Sequence, residues 1–253
     1  MPTPTKNTSS SIWDKKAKQY GRFSKNLTSF QQNIFTKIAQ RGLSFQEKSI
    51  LDIGCGTGVY TLHLALLANK ITALDFSQEM LDILAIDAKM QNLENKITFT
   101  CKDWQTYDKD ARFDIIFSSM SPAFKNDEDF EKMHNSAKES CIYLGWGGKR
   151  ESELLDAVFK AHHLTLNAPP GSDKLKLWLE KKKIAYICEY IEDEWLAQKS
   201  IEDAIESILW HFEINHFTPD TKLVRQMVLD KADSEGWVNF SVKVGLELIS
   251  WAK

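Results

Sequence analysis

Three glycines stand close together in the stretch ILDIGCGTGVYTLHLA, residues 50 to 65. Gly54, Gly56 and Gly58 separate an apolar run typical of a strand from a segment with the composition of a helix. Glycine lacks a Cβ atom, so this backbone can approach a ligand closely, and free amides at a helix N-terminus can donate hydrogen bonds to it. The stretch therefore predicts a ligand-binding turn at the carboxyl end of a strand.

The spacing of these glycines separates two classes of nucleotide ligand. Dinucleotide sites use the pattern G-x-G-x-x-G, and its third glycine falls at the position that Val59 occupies here. This chain has the pattern G-x-G-x-G instead. The spacing disfavours a dinucleotide, so an oxidoreductase that uses NAD or NADP is a distant alternative.

Acidic side chains follow the next two predicted strands. Asp75 ends the run ITALD, 21 residues after Gly54, where a carboxylate can accept two hydrogen bonds from a ribose diol. Asp103 and Trp104 follow the run ITFTC, and a carboxylate beside an aromatic ring suits an adenine. These companions indicate that the glycine turn binds a ligand containing adenosine.

Together these segments resemble the class I S-adenosylmethionine-dependent methyltransferases. The resemblance covers about residues 49 to 148, and LDIGCGTG, Asp75, KDW and FDIIFSSMSP carry it in the family's order. The N-terminal WDKKAKQYGRF is similar to a segment that often precedes the glycine motif in members acting on small molecules. The resemblance implies a Rossmann-like fold, S-adenosylmethionine as methyl donor and S-adenosylhomocysteine as product.

The resemblance also implies roles for individual residues. Asp52 would contact the methionyl amine, Asp75 the ribose hydroxyls, and Ser119 the region of the methyl group in transfer. The complete predicted cofactor-binding set is Asp52, Gly54, Cys55, Gly56, Gly58, Asp75, Phe76, Asp103, Trp104 and Ser119. One departure is that the glycines of HNSAKESCIYLGWGG follow the fifth predicted strand, so the subgroup stays open.

A catalytic base is harder to identify, because methyl transfer from a sulfonium needs one only when the acceptor must lose a proton. The histidine candidates are His134, after the fourth predicted strand, and His211 and His216, near the predicted helices towards the C-terminus. Tyr20 is a candidate through the family resemblance alone. We expect no metal site, since the four cysteines form no C-x-x-C pair and the two C-terminal histidines are five residues apart with no carboxylate triad.

The composition is that of a globular protein, with 43% hydrophobic and 26% charged residues in 253. No apolar stretch approaches the length of a membrane span and the N-terminus is polar, so we expect a soluble, cytoplasmic protein without membrane contact. Residues 1 to 48 carry a local charge of +7, from nine Lys and Arg against two acids. No nucleic-acid motif accompanies this charge, so a nucleic-acid partner stays a disfavoured alternative.

Strand and helix patterns alternate from residue 49 onward, which predicts an α/β fold. We expect a Rossmann-like, doubly wound sheet of seven strands, mostly parallel, with an antiparallel C-terminal strand. Period-two hydrophobicity in WVNFSVKVGLELI predicts that long last strand, with IAYICEY as its antiparallel partner. The predicted single domain has four parts: an N-terminal helical segment 1–48, a cofactor-binding core 49–190, a helical insertion 191–235 over the acceptor site, and a final strand 236–253.

The leading interpretation is an enzyme, EC 2.1.1.-, that transfers a methyl group in line from S-adenosylmethionine to a small molecule. An RNA or protein methyltransferase is one alternative. A regulatory module that binds the cofactor without turnover is another, and the lack of an obvious catalytic base supports it. The sequence leaves the acceptor, its reacting atom and the oligomeric state open.

Overall fold

The computed structural model describes residues 8–108, 110–166, 169 and 171–253. Residues 1–7 of the predicted N-terminal segment, and positions 109, 167, 168 and 170 of the predicted core, lie outside the described residues. The helices are α1 Thr8–Ala17, α2 Ser29–Gln40, α3 Thr61–Leu67, α4 Gln78–Met90, α5 Asp127–Ser136, α6 Glu153–Ala161, α7 Asp173–Lys181, α8 Ile201–Ile214 and α9 Thr221–Lys231. The strands are β1 Ser49–Ile53, β2 Lys70–Asp75, β3 Ile97–Cys101, β4 Phe113–Ser119, β5 Ala137–Ser152, β6 Tyr186–Ser200 and β7 Trp237–Ala252.

The strands form one seven-stranded sheet in the order β3-β2-β1-β4-β5-β7-β6. Neighbours from β3 to β5 are parallel, whereas β7 runs antiparallel to both β5 and β6. Apolar side chains cover both faces: Ile50 belongs to one core cluster and its neighbour Leu51 to another. Successive strand residues point to opposite faces, so helices pack on both sides of the sheet. The predicted doubly wound α/β fold with an antiparallel last strand is confirmed.

Local sequence signals set several helix ends. Ser77 is the N-cap of α4, and its hydroxyl accepts a hydrogen bond from the amide of Met80 at 3.3 Å. The helix after the glycine turn begins at Thr61. Asp220 is the N-cap of the last helix, and its carboxylate accepts from two amides of the first turn.

The helical insertion is shorter than predicted. Residues 191–200 were expected to be part of it, but they continue β6 as far as Ser200. The reason lies in β7, whose length offers a pairing partner to every residue of β6, from Tyr186 opposite Trp251 to Ser200 opposite Trp237. The insertion therefore comprises α8 and α9, which pack with α6 in a third apolar cluster. Within the described part of the chain, no helix is long and apolar enough to cross a membrane.

Candidate functional site

The glycine turn joins β1 to α3 in a backbone conformation that favours glycine. Gly54, Gly56 and Gly58 have φ angles of 70°, 55° and 85°. A Cβ atom on Gly54 would lie 2.0 Å from the Oγ atom of Ser121, and one on Gly58 would lie 2.1 Å from the Cδ1 atom of Leu84. The turn therefore needs glycine both for its backbone angles and for the close approach of its neighbours.

A cavity of about 120 Å³ lies against this turn, at the carboxyl ends of β1, β2 and β4. Such a place is where open α/β sheets bind ligands. Seven of the ten predicted cofactor-binding residues line it: Asp52, Gly54, Cys55, Gly56, Asp75, Phe76 and Ser119. The other lining residues are Trp13, Tyr20, Thr57, Val59, Tyr60, Met80, Met120, Ser121 and Pro122. The structure thus brings most of the predicted set together.

Asp75 is anchored on the cavity wall by backbone amides. Its Oδ2 atom accepts from the amide of Gly56 and its Oδ1 atom from the amide of Ser77, each at 2.9 Å. Burial raises the pKa of this carboxyl, and these hydrogen bonds oppose the rise. Each carboxylate oxygen keeps further acceptor capacity, so Asp75 is held rigidly while it remains able to accept hydrogen bonds from a ligand.

Asp52 is the second buried carboxyl of the cavity. The hydroxyl of Thr61 donates to its Oδ2 atom at 2.6 Å, and burial raises the pKa of Asp52 to about 7. None of the sixteen described residues that line the cavity is Lys, Arg or His. Two buried carboxyls without a lining cation favour a ligand that brings positive charge with it.

Ser119 ends β4 at the edge of the same cavity. Its Oγ atom is buried and has no hydrogen-bond partner among the described residues. The preceding Ser118, in contrast, donates from its hydroxyl to the carbonyl of Ile53 at 2.9 Å. A buried hydroxyl left unpaired is costly, so Ser119 is poised to bond a ligand.

Known proteins match the part of the chain that builds this cavity. A family model described as a methyltransferase domain matches residues 50–141. A ubiquinone biosynthesis O-methyltransferase from Coxiella burnetii is 29% identical over 131 residues, which are 51% of this chain and 53% of that protein. A malonyl-[acyl-carrier protein] O-methyltransferase from Bacillus anthracis is 32% identical over 183 residues, 66% of each chain.

The chain belongs to the class I S-adenosylmethionine-dependent methyltransferases. It spans about half the length of the Coxiella relative. The YcgJ protein from Bacillus subtilis has the same fold, with a TM-score of 0.53 at 15% identity, over 88% of this chain and 98% of that one.

The N-terminal segment of the chain closes one side of the cavity. The hydroxyl of Ser77 donates to the carboxylate of Asp14 at 2.6 Å, which ties α1 to the N-terminus of α4. The hydroxyl of Thr57 donates to the carbonyl of Gly21 and thereby ties the glycine turn to the chain after α1. The sequence predicted neither of these two polar links. They depend on pairs 63 and 36 residues apart, which no local pattern reveals.

Three of the predicted cofactor residues do not line the cavity. The backbone of Gly58 packs against Leu84, and Asp103 lies beyond the end of β3. The expectation that the Trp104 ring would frame an adenine is corrected, because that ring is buried in the core. Its Nε1 atom donates to the carbonyl of Asp129 at 3.2 Å, and the ammonium of Lys132 lies 4.3 Å from its centroid. The role of Asp103 remains a prediction.

Among the four candidates for a catalytic base, only Tyr20 lines the cavity. Burial, and then the charge of Asp75, raise the pKa of Tyr20, so its phenol is a hydrogen-bond donor near neutral pH. His134 accepts from the indole of Trp251 at 3.2 Å within a core cluster, and His216 is exposed just beyond the end of α8. Neither of these two histidines lines the cavity.

His211 is unsuited to act as a base. Its Nδ1 atom lies 2.7 Å from the carbonyl of Ser207 and must donate to it, so in the neutral ring Nε2 accepts from Arg150 at 2.5 Å. Burial first, and then the charge of Arg150, lower the pKa of His211 to about 3. A ring with an occupied acceptor atom and so low a pKa does not take a proton near neutral pH. Across the described residues, no cluster of three metal-binding side chains is found.

Proposed function

We propose that this methyltransferase binds S-adenosylmethionine in the cavity beside the glycine turn and transfers its methyl group to a small molecule. The observation that carries the proposal is the pair of buried carboxyls, Asp52 and Asp75, in a cavity lined by no described cation. S-adenosylmethionine brings a sulfonium and an ammonium, which match this charge. Its ribose hydroxyls match the acceptor capacity that Asp75 retains.

The residues present fit the cofactor at three further points. The backbone around Gly54 and Gly56 is free of Cβ atoms and lines the cavity, so it offers close contact to the ribose and methionyl portions. The unpaired hydroxyl of Ser119 offers a hydrogen bond where β4 ends. The ring of Phe76 offers an apolar surface beside Asp75.

When bound, S-adenosylmethionine supplies a methyl group that is already activated for displacement on a sulfonium. The chain's own residues therefore have to position the acceptor and exclude water. Trp13 and Tyr20 line the side of the cavity that α1 and the following turn close. Tyr20 is suited to orient an acceptor by donating a hydrogen bond from its phenol.

We further propose that α8 and α9 shape the acceptor side of a single domain. The indole of Trp210 on α8 donates to the carbonyl of Ile12 at 3.0 Å, and its ring meets the ring of Trp13 edge-on at 5.2 Å between centroids. The helical insertion therefore packs directly on the segment that closes the cavity. Two relatives are named as O-methyltransferases, which makes oxygen nucleophiles the first acceptors to test.

The test is methyl transfer from cofactor carrying a labelled methyl group to three substrates: low-mass cell extract, cell RNA and cell protein. Label in the low-mass fraction, with formation of S-adenosylhomocysteine, is the expected result. Label in RNA or protein alone would contradict a small-molecule acceptor. Binding of S-adenosylmethionine without any S-adenosylhomocysteine, whichever extract is supplied, would indicate a regulatory module.

A further inference from the structure

Three basic side chains lie close enough beside the N-terminal wall of the cavity for Lys199 and Arg150 to lower the pKa of Lys16, and we call them the basic cluster: Lys16, Arg150 and Lys199. Lys16 comes from α1, Arg150 from β5 and Lys199 from the end of β6. The ammonium of Lys16 lies 5.0 Å from the ring centroid of Trp210, and Arg150 contacts the next residue of α8, His211. The cluster thus lies where α8 meets α1.

No carboxylate forms an ion pair with any member of the basic cluster among the described residues. Lys16 donates only to neutral oxygens, those of Ser207 at 3.0 Å and Gln19 at 3.4 Å. The hydrogen-bond partner of Arg150 is the imidazole of His211. The cluster is therefore charged but not neutralised by direct contact.

The acidic side chains nearest the cluster are engaged elsewhere. Asp203 accepts from the hydroxyl of Ser200 at 2.7 Å, and Asp156 accepts from the amide of Ser152 at 2.8 Å. The carboxylate of Glu206 is held by the side-chain amide of Gln19. These three carboxylates reduce the positive potential of the basic cluster, but none of them forms an ion pair with it.

The lysines next in sequence to Lys16 and Arg150 form ion pairs at the surface. Lys15, beside Lys16, pairs with Glu213 at 2.6 Å, and Lys149, beside Arg150, pairs with Glu192 at 3.3 Å. Lys16, in contrast, is buried. Burial, and next the charges of Lys199 and Arg150, lower the pKa of Lys16 to about 8. Uncompensated positive charges held together in a partly buried place cost free energy that an anion would recover.

His211 holds Arg150 in place. Its neutral ring is fixed by the bond from Nδ1 to the carbonyl of Ser207, and this leaves Nε2 to accept from the guanidinium at 2.5 Å. Among the described residues no carboxylate or carbonyl accepts from the remaining N–H groups of Arg150, and its charge opposes the burial that raises the pKa of Tyr20. A guanidinium fixed on one side presents its other donors to a ligand.

We propose that the basic cluster binds an anionic group, a carboxylate or a phosphate ester, carried by the methyl acceptor. The proposal rests on the proposed function, because it places the acceptor beside the same cavity. Tyr20 links the two places, because it lines the acidic donor cavity and its ring lies 6.2 Å from that of Trp13, which packs on Trp210 beside Lys16. The cationic cofactor would then bind on the acidic side of Tyr20, and the anionic acceptor would bind on the basic side.

The experiment is a titration of the full chain, without cofactor, with inorganic phosphate and with succinate at constant ionic strength. Tryptophan fluorescence is the readout, since Trp210 contacts Lys16 and Trp146 contacts Arg150. We expect saturable binding of at least one anion, weakened roughly tenfold or more by Arg150→Gln and by Lys16→Met. The preferred anion separates a carboxylate acceptor from a phosphorylated one.

Matched controls are Lys149→Gln and Lys15→Met, which remove surface lysines next in sequence to the cluster and should leave anion affinity unchanged. Arg150→Lys keeps the charge and should bind more tightly than Arg150→Gln, which guards against a folding defect. Absence of saturable binding of either anion to the wild-type chain would overturn the proposal. So would equal losses in the control variants.

Calorimetry with S-adenosylmethionine separates this proposal from the proposed function. Arg150→Gln should bind the cofactor as the wild-type chain does, because the basic cluster serves the acceptor. Loss of cofactor affinity in that variant would instead assign the cluster to the donor and overturn the proposal. A wild-type chain that binds anions but not S-adenosylmethionine would refute the proposed function alone.

Discussion

His211 accepts a hydrogen bond at Nε2 from the guanidinium of Arg150 at 2.5 Å, across the boundary between α8 and β5. This contact determines the role of His211, which the sequence analysis considered as a catalytic base. A ring whose two nitrogens are both engaged, and which is buried beside a cation, is a positioning group. Because burial and the charge of Arg150 lower the pKa of His211, the stability of the chain should also depend on pH.

The free energy of unfolding should fall in acid because of His211. The unfolded chain takes up a proton there below about pH 6.5, whereas the folded chain resists until about pH 3. Stability is therefore lost as the pH falls through this window, at up to about 1.4 kcal/mol per pH unit.

The variant His211→Gln removes this effect. At pH 7 it should be less stable than the wild-type chain, and by pH 5 the difference should shrink by about 2 kcal/mol. Urea unfolding at both pH values measures it, with His216→Gln, at an exposed position just beyond the end of α8, as the control. A stability difference that does not change with pH would contradict the assignment of a neutral His211.

Asp52 should make cofactor binding depend on pH. Its carboxyl has a pKa raised to about 7, so it is protonated at pH 6 and ionised at pH 8. The ionised form attracts a cationic ligand, and affinity for S-adenosylmethionine should therefore increase several-fold from pH 6 to pH 8. Calorimetry at both values measures this change.

The matched variant for this effect is Asp52→Asn, whose amide oxygen can still accept from the hydroxyl of Thr61. We expect this variant to lose most of the pH dependence. If it keeps the wild-type slope, the titrating group is another one, with Asp75 the first to test.

Two glycines with positive φ angles form a matched pair for the packing of the turn. Gly42 has a φ angle of 76° and open space where a Cβ atom would stand, so Gly42→Ala should cost only about 1 to 2 kcal/mol of backbone strain. Gly58 has a φ angle of 85° and a Cβ atom there would meet Leu84, so Gly58→Ala should cost about 1 to 3 kcal/mol more. Thermal unfolding compares them, and equal losses would show that Leu84 moves aside freely.

The sequence predicted the parts of the fold that local patterns determine. The period-two run through Val238 and Leu248 predicted the last strand, because one face of that strand is buried along its length. The end of β6 was missed because residues 191–200 form a strand through pairing with β7, a contact between distant parts of the chain. Charged residues in this segment obscure the hydrophobic pattern of a strand, and pairing with β7 stabilises the strand.

The candidate site also contains residues that the sequence predicted and residues that it did not. Asp52 and Asp75 lie in the last two residues of their strands and the glycines follow β1, so a parallel sheet had to bring them together. Trp104 was misplaced because a sequence shows that an aromatic residue follows a strand but not to which side its ring turns. The basic cluster was missed altogether, since Lys16 and Arg150 come from segments more than a hundred residues apart and neither belongs to a motif.

The affinity of the chain for S-adenosylmethionine, with and without the carboxylate of Asp75, decides whether this cavity binds the cofactor. Calorimetry of Asp75→Ala should show binding weakened by about 1 to 3 kcal/mol, roughly 5- to 150-fold, because hydrogen bonds to a charged acceptor are lost. Asp82→Ala, on the exposed side of α4, is the control and should bind as the wild-type chain does. Unchanged affinity in a folded Asp75→Ala variant would contradict the account.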